Sequence, residues 1–260
     1  MIRYCKIKRC ILGFDQPKIC VPLVGRTSEE VLEQANQIMR SKRSSAIDMV
    51  ELRGDYLEIL PDYEKLDHLL HTLTNVLKEK VLLFTIRSEA EGGETLASSC
   101  PAIAEINRHV ITNKLADMVD IELYSGAESA KALIALAKEN DVKIIMSNHD
   151  FHTTPDATTI VNRLRMMQDL GADVVKIAVM PENKMHVVNL LAATAMMQEA
   201  YAEVPVVTMS MGKMGAISRI SGQVFGSAIT FASFAEASAP GQIPVDKMDE
   251  ALAFIGRYCS

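Results

Sequence analysis

V-K-I-I-M-S-N-H-D at residues 142–150 and A-D-V-V-K-I-A-V-M-P at residues 172–181 decide how this chain is read. Each is an apolar strand that carries a reactive group, His149 on the first and Lys176 on the second. One helix-length stretch, residues 156–170, separates them. An unpaired ammonium is among the groups least often buried, so a lysine inside an apolar strand is an unusual placement. Amine chemistry on a carbonyl would account for it, with a general base on the preceding strand completing the apparatus.

The same alternation of strand and helix extends outward in both directions. Strands are expected at residues 18–24, 48–53, 81–87, 118–123, 142–148, 174–179, 206–210 and 226–231. Helices are expected to begin at Ser28 and after Pro61, and to cover residues 99–115, 127–139, 156–170, 216–224 and 245–258. Eight such units in a chain near the typical ~250 residues predict a (β/α)8 TIM barrel, one domain over residues 1–260. The strands are near-continuous apolar runs, as parallel strands covered on both faces must be. A doubly wound open sheet is the alternative, but the first strand ends in V-G-R-T-S and lacks the glycine-rich phosphate turn. Residues 1–17 read as a β-hairpin (strands 5–8 and 11–14, punctuated by Gly13 and Pro17) that covers one end of the barrel.

In a barrel, the C-terminal ends of the strands form the active face. Those ends deliver Glu51 and Arg53, then Arg87 with Glu91 just beyond, then Asn148 and His149, and then Lys176. Met209, Ser210 and Arg219 follow, and the last loop adds Ser238 and Gln242. Each has a plainer reading. Lys176 could snorkel to the rim, His149 could be a satisfied core histidine, and Glu51 with Arg53 could be a structural ion pair. Arg87 and Arg219 could be surface charges, Glu91 a solvated acid in E-A-E-G-G-E, and Met209 wall packing. His152 reads as a loop residue, and Asn148 and Ser210 as structural.

A lysine attacks a ketone only as the neutral amine, and the free side chain titrates at about 10.4. Burial and nearby cations both disfavour the ammonium. The resulting iminium is an electron sink that acidifies the adjacent carbon. A histidine, titrating at about 6.5, can take that proton and return it to a leaving hydroxyl. Arginine forks would hold a substrate carboxylate. The site therefore predicts Schiff-base proton abstraction with β-elimination, or aldol chemistry, on an anionic hydroxy-ketone.

Composition excludes other classes. Hydrophobic residues make up 48% of the 260 and charged residues 23%, an ordinary globular balance. A net charge of -6 argues against a nucleic-acid partner. No apolar run approaches the roughly 18 residues that span a bilayer, so no membrane partner is expected. The opening M-I-R-Y-C-K-I-K-R-C is too charged for a signal peptide. The five dispersed cysteines form no C-x-x-C pair and read as reduced thiols in the cytoplasm. No metal-ligand pattern is evident.

The chain resembles the type I 3-dehydroquinate dehydratases. The motifs that carry the resemblance are P-K-I-C-V-P-L at 17–23, M-V-E-L-R at 49–53, T-I-R-S-E-A-E-G-G at 85–93 and S-N-H-D-F at 147–151. D-V-V-K-I-A at 173–178, M-S-M-G at 209–212, I-S-R at 217–219 and S-A-P-G-Q-I at 238–243 complete the set. They occur in the family's order and cover essentially the whole chain. The M-V-E-L-R motif continues as Gly54, Asp55 and Tyr56, where an apolar residue often replaces the glycine.

The resemblance implies that Lys176 forms an imine with the C3 ketone of 3-dehydroquinate. His149 would remove a C2 proton and assist loss of the C1 hydroxyl, and Glu91 would orient His149. Glu51, Arg53 and Arg87 would bind the ring-hydroxyl side. Arg219 and Gln242 would hold the carboxylate, Ser238 would lie on a closing loop, and Met209 would pack against the ring. It also implies a small-molecule substrate, no metal or cofactor, and a homodimer. The rivals are a class I Schiff-base aldolase on a similar barrel and an inactive barrel that binds a small anion.

Overall fold

A computed structural model describes residues 3–94, 100–234 and 239–259. Two antiparallel strands, β1 (Cys5–Ile7) and β2 (Cys10–Leu12), open the chain as the expected hairpin, each shorter than its sequence reading. The main sheet is parallel. It contains β3 (Lys18–Leu23), β4 (Met49–Arg53), β5 (Val81–Thr85), β6 (Met118–Glu122), β7 (Lys143–Asp150), β8 (Val174–Val179), β9 (Val206–Ser210) and β10 (Ile229–Ser233). These are neighbours in sequence order, with β10 paired beside β3 and the two-residue β11 (Ile243–Pro244) beside β10. The sheet thus curls on itself as the (β/α)8 barrel expected from the eight units.

Closure between β9 and β10 is not a ladder. One bridge, Val206 to Ser227, joins them, with the Ala228 N–H donating to the Val206 carbonyl at 2.8 Å. The Ser227 hydroxyl also accepts from the Thr208 N–H at 3.0 Å. Three of the other strand pairs are set differently. Asp48, Asp117 and Asp173 stand just before β4, β6 and β8. Each carboxylate accepts a backbone N–H from the preceding strand: Ile19 at 2.9 Å, Leu82 at 2.8 Å and Ile144 at 2.8 Å. A one-residue slip would break these charge-assisted bonds and turn every side chain to the other face.

Helices α1 (Ser28–Arg40), α2 (Tyr63–Leu77), α3 (Cys100–Thr112), α4 (Ala127–Asn140), α5 (Ala157–Leu170) and α6 (Lys184–Met196) cover the outer face. The short α7 (Ala216–Ile220) and α8 (Gly222–Phe225) and the terminal α9 (Val245–Tyr258) complete the layer. Thr27 caps α1 in a reciprocal box with Glu30, and Asp62, Asp156 and Asn183 cap α2, α5 and α6. Sequence reading assigned no helix between strands six and seven, where α6 lies. Its apolar residues run round most of the circumference, with Val187 and Leu190 buried and Met185 and Val188 exposed, so no clean stripe betrays it. The single helix expected at 216–224 is broken at Ser221 into α7 and α8.

Two apolar clusters follow from the period of two along each strand. One lies between strands and helices, including Val50, Leu52, Phe84, Ile144 and Leu164. The other fills the barrel and includes Met49, Leu83, Met118, Ile145, Val174 and Val207. Cys5, Ile7, Cys10 and Leu12 of the hairpin belong to this inner cluster and cover the end where the strands begin. The interior is therefore apolar at that end, and polar side chains are left for the other.

Candidate active site

Continuing each inward row past its apolar base gives the site. Met49 leads to Glu51 and Arg53, Met118 to Asp120 and Glu122, Ile145 to Ser147 and His149, and Val174 to Lys176. These rows rise to one cavity at the mouth of the barrel, the concave setting usual for small-molecule sites. Glu51, Arg53, Arg87, Glu91, His149, Lys176, Met209, Arg219 and Gln242 all line it. The structure brings together nine sequence-predicted residues from six strands and the segments that follow them. Ser238 lies outside the described residues.

Lys176 is interior, with only 4% of its surface exposed. Its Nζ lies 4.3 Å from the centre of the Phe231 ring and 3.9 Å from Asp120 Oδ2. Burial lowers its pKa from the ordinary ammonium value, and Arg87 adds to the effect. The carboxylates of Glu51 and Asp120 oppose it.

His149 meets Glu91. A short turn (Glu89–Glu91) brings this carboxyl into the barrel mouth, where it is buried rather than solvated. The two glycines that follow make the turn possible. Gly92 has φ +82°, and a Cβ there would strike the Phe151 ring at 2.4 Å. At Gly93 it would meet the Arg87 carbonyl at 1.9 Å. Glu91 Oε2 lies 2.9 Å from both His149 Nδ1 and the His149 backbone N–H, and Oε1 accepts from Asn148 Nδ2 at 2.9 Å.

Burial, then the neighbouring Glu122 and Asp120, push the Glu91 carboxyl up to about 7, against the pull of Arg87 and the Asn148 amide. Burial, with Arg87, Lys176 and Arg53, holds the His149 imidazole well below its ordinary value. Above pH 7 the pair is a carboxylate and a neutral imidazole. The hydrogen-bond network then assigns the proton to Nδ1, and Nε2 carries the lone pair.

The three arginines differ in their partners. Arg53 makes a two-pronged bond to Asp55, with Nε to Oδ1 at 2.8 Å and Nη2 to Oδ2 at 2.6 Å. Arg87 sits in a cage of acids: Asp120 at 2.8 Å, Glu122 at 3.0 Å and Glu91 at 3.7 Å, with Ser147 at 2.9 Å. Glu51 accepts from the Thr85 hydroxyl at 2.9 Å. Arg219 is only 2% exposed, and among the described residues no carboxylate pairs with it. Its Nη atoms donate to the carbonyls of Phe231 at 3.4 Å and Pro240 at 3.1 Å, while Nε is buried without an acceptor. Burial lowers its pKa to about 10. A buried guanidinium on a cavity wall, with no carboxylate beside it among the described residues, has the donor set that suits an anion.

Sequence reasoning passed over Asp55, Asp120, Glu122 and Ser147. Their signal was available: two acids spaced by two in M-V-D-I-E, inside a strand that is otherwise apolar, present the same anomaly as Lys176. Asn148, expected to be structural, holds Glu91.

Fold and cavity define a (β/α)8-barrel enzyme that acts on a small molecule. The family model for type I 3-dehydroquinase matches residues 19–258. The chain is 46% identical over 246 residues to the 3-dehydroquinate dehydratase of Clostridium novyi, covering 95% of each. It superposes at a TM-score of 0.94 on the type I 3-dehydroquinate dehydratase of Clostridium difficile, solved with covalently modified comenic acid, at 38% identity and 99% coverage of both chains. The Geobacillus kaustophilus 3-dehydroquinate dehydratase gives the same TM-score at 34% identity, covering 99% of this chain and 98% of that one.

The chain belongs to the type I 3-dehydroquinate dehydratase family, hydro-lyases of the shikimate pathway. This sets aside the aldolase and the inactive-barrel readings.

Proposed function

We propose that the dehydration runs through an imine on Lys176 with His149 as the proton carrier. The observation that carries this reading is the buried amine of Lys176, in one cavity with the His149 imidazole and the buried Arg219 guanidinium. The neutral amine attacks the C3 ketone of 3-dehydroquinate, and loss of water gives the iminium. The His149 Nε2 lone pair takes a C2 proton, and the electron pair of that C–H bond flows toward the iminium nitrogen to form an enamine. The enamine pushes out the C1 hydroxyl, which receives the proton from the imidazolium and leaves as water. Hydrolysis of the remaining imine frees Lys176 and 3-dehydroshikimate. Glu91 fixes the imidazole tautomer, and Asp120 and Glu51 face the cationic nitrogen. Arg219 and Gln242 hold the substrate carboxylate, Arg53 and Arg87 face the ring hydroxyls, and Met209 packs on the ring.

The direct test is borohydride reduction during turnover, followed by peptide mass spectrometry. Hydride adds to the iminium carbon and leaves a stable secondary amine, which is expected on Lys176. Turnover without any adduct at that residue would sink the imine route.

Arg219→Met tests the carboxylate assignment. Losing a charge-assisted fork is expected to raise KM by about ten- to a hundred-fold with a smaller effect on kcat. Removing a buried charge that has no counter-ion among the described residues is expected to stabilise the free protein by about 1–3 kcal/mol. Steady-state kinetics and a thermal melt check both; an unchanged KM would refute the assignment.

A further inference from the structure

Asn148 and His149 are consecutive in β7, so their side chains leave opposite faces of the strand. Both nevertheless reach Glu91, the first through Oε1 and the second through Oε2. On its far side, Asn148 Oδ1 accepts from Arg163 Nη1 at 2.9 Å. Arg163 lies on α5, half-buried, with its guanidinium 5.9 Å from the centre of the Tyr124 ring. A chain of four side chains therefore runs from the helix layer into the barrel: Arg163, Asn148, Glu91, His149.

The chemistry of its first member gives this chain a direction. A guanidinium only donates. An amide can present either end, and a flipped Asn148 would turn its oxygen toward the Glu91 carboxylate. Arg163 draws the oxygen outward and so fixes the NH2 on Glu91 Oε1. Oε2 is then left to accept both the backbone N–H and the Nδ1–H of His149. The first two bonds donate inward toward Glu91 and the third, from the His149 Nδ1–H, donates back to it, so the last consequence is a bare lone pair on Nε2. We infer that Arg163 is a positioning residue that selects the His149 tautomer through Asn148 and Glu91, from outside the substrate cavity.

Arg163 is not among the residues lining the substrate cavity, and so its role is separable from binding. The charged groups facing the Glu91–His149 pair on the inner side are Arg87, Arg53, Asp120, Glu122 and Lys176. On the outer side they are Glu89, Asp150 and Arg163. Without Arg163, Asn148 loses its fixed sense. Glu91 then binds a proton more readily, and a protonated carboxyl donates to Nδ1 and forces the proton of the neutral imidazole onto Nε2, where no base function remains. A wrong imidazole tautomer at an otherwise intact site is a costly fault.

The inference rests on His149 being the proton carrier, and two readouts on the full-length protein separate the two ideas. In substrate-free protein carrying 15N-histidine, Nε2 of His149 is expected to show the unprotonated ring-nitrogen shift. Arg163→Met is expected to mix the two tautomers. Its kcat is expected to fall about ten-fold with KM within about two-fold. The acid limb of kcat is expected to move up by about half a unit, the direction of a more easily protonated Glu91. Arg163→Lys, which keeps a group that only donates, is expected to restore most of both. Asn148→Leu cuts the same chain at its middle link and should reproduce the Met variant if that variant folds poorly. A parental nitrogen spectrum in Arg163→Met and in Asn148→Leu would overturn the relay whatever His149 does in catalysis. Equal losses in the Lys and Met variants, with KM rising alongside, would show packing alone and overturn it as well.

Discussion

Lys176→Ala is expected to lower kcat on 3-dehydroquinate by at least about four orders of magnitude, the scale for removing a covalent nucleophile. The fold should tolerate the change. Lys176 is interior, and its neighbours there are the Phe231 ring and two carboxylates with other partners. Asp120 is held by Arg87 and Ser147, and Glu51 by Thr85. Deleting the amine leaves those acids bonded and removes one desolvated polar group. The melting temperature is therefore expected to stay near the parental value while the borohydride adduct disappears. An absorbance assay for the conjugated enone product measures the loss. Retention of more than about a hundredth of parental kcat would refute the covalent route.

His149→Ala separates the two halves of the reaction. The amine of Lys176 remains, so substrate should still form the iminium and be trapped by borohydride in full yield. Elimination should slow by about 10²- to 10⁴-fold, the range for a positioned general acid–base. A variant that loses adduct and turnover together would place His149 in imine formation instead. The pH profile of the parent enzyme adds a check on sign. Glu91 titrates at about 7 and must be ionised to accept the Nδ1–H, whereas His149 itself stays neutral to lower pH. Activity is therefore expected to fall as pH drops through about 7 and to be fully present above it. The limb reports the Glu91–His149 pair as a unit, so on the proposed mechanism the profile carries the acid that neighbours the base.

Much of this was legible in the chain because parallel strands buried on both faces tolerate few polar residues. β8 and β9 fall where their apolar runs begin and end, and Lys176 stands out within the first of them. Ends set by hydrogen bonding were less readable. β5 stops at Thr85, two residues before the expected end at Arg87, because the chain there turns to carry Glu91 back over the mouth. The strand expected at 226–231 begins only at Ile229, since Gly226 has φ +97° and closes the preceding helix. Carboxylates were the larger omission. A buried acid reads as a strand-end polar residue unless its cation is known to lie opposite, and Arg87 meets Asp120 only through the pairing of β5 with β6. Arg163 gave no sign at all, because its significance depends on which end of an amide it faces.

The unladdered junction between β9 and β10 has a consequence for how the site can change its dimensions. His149 and Lys176 sit on β7 and β8, which are joined over six residue pairs from Ile145–Val174 to Asp150–Val179. Their spacing is fixed by backbone that cannot stretch without losing several bonds at once. Met209 and Phe231 stand on opposite banks of the junction, where one bridge and a serine hydroxyl carry the load, and Arg219 touches both through a sulfur and a carbonyl. The wall of Met209, Phe231 and Arg219 is therefore the less tied side of the cavity, while the spacing of the amine and the imidazole is set by a full ladder. On the proposed mechanism, tolerance toward the shape of the bound molecule and precision in the reacting pair fall to different sides of the same cylinder.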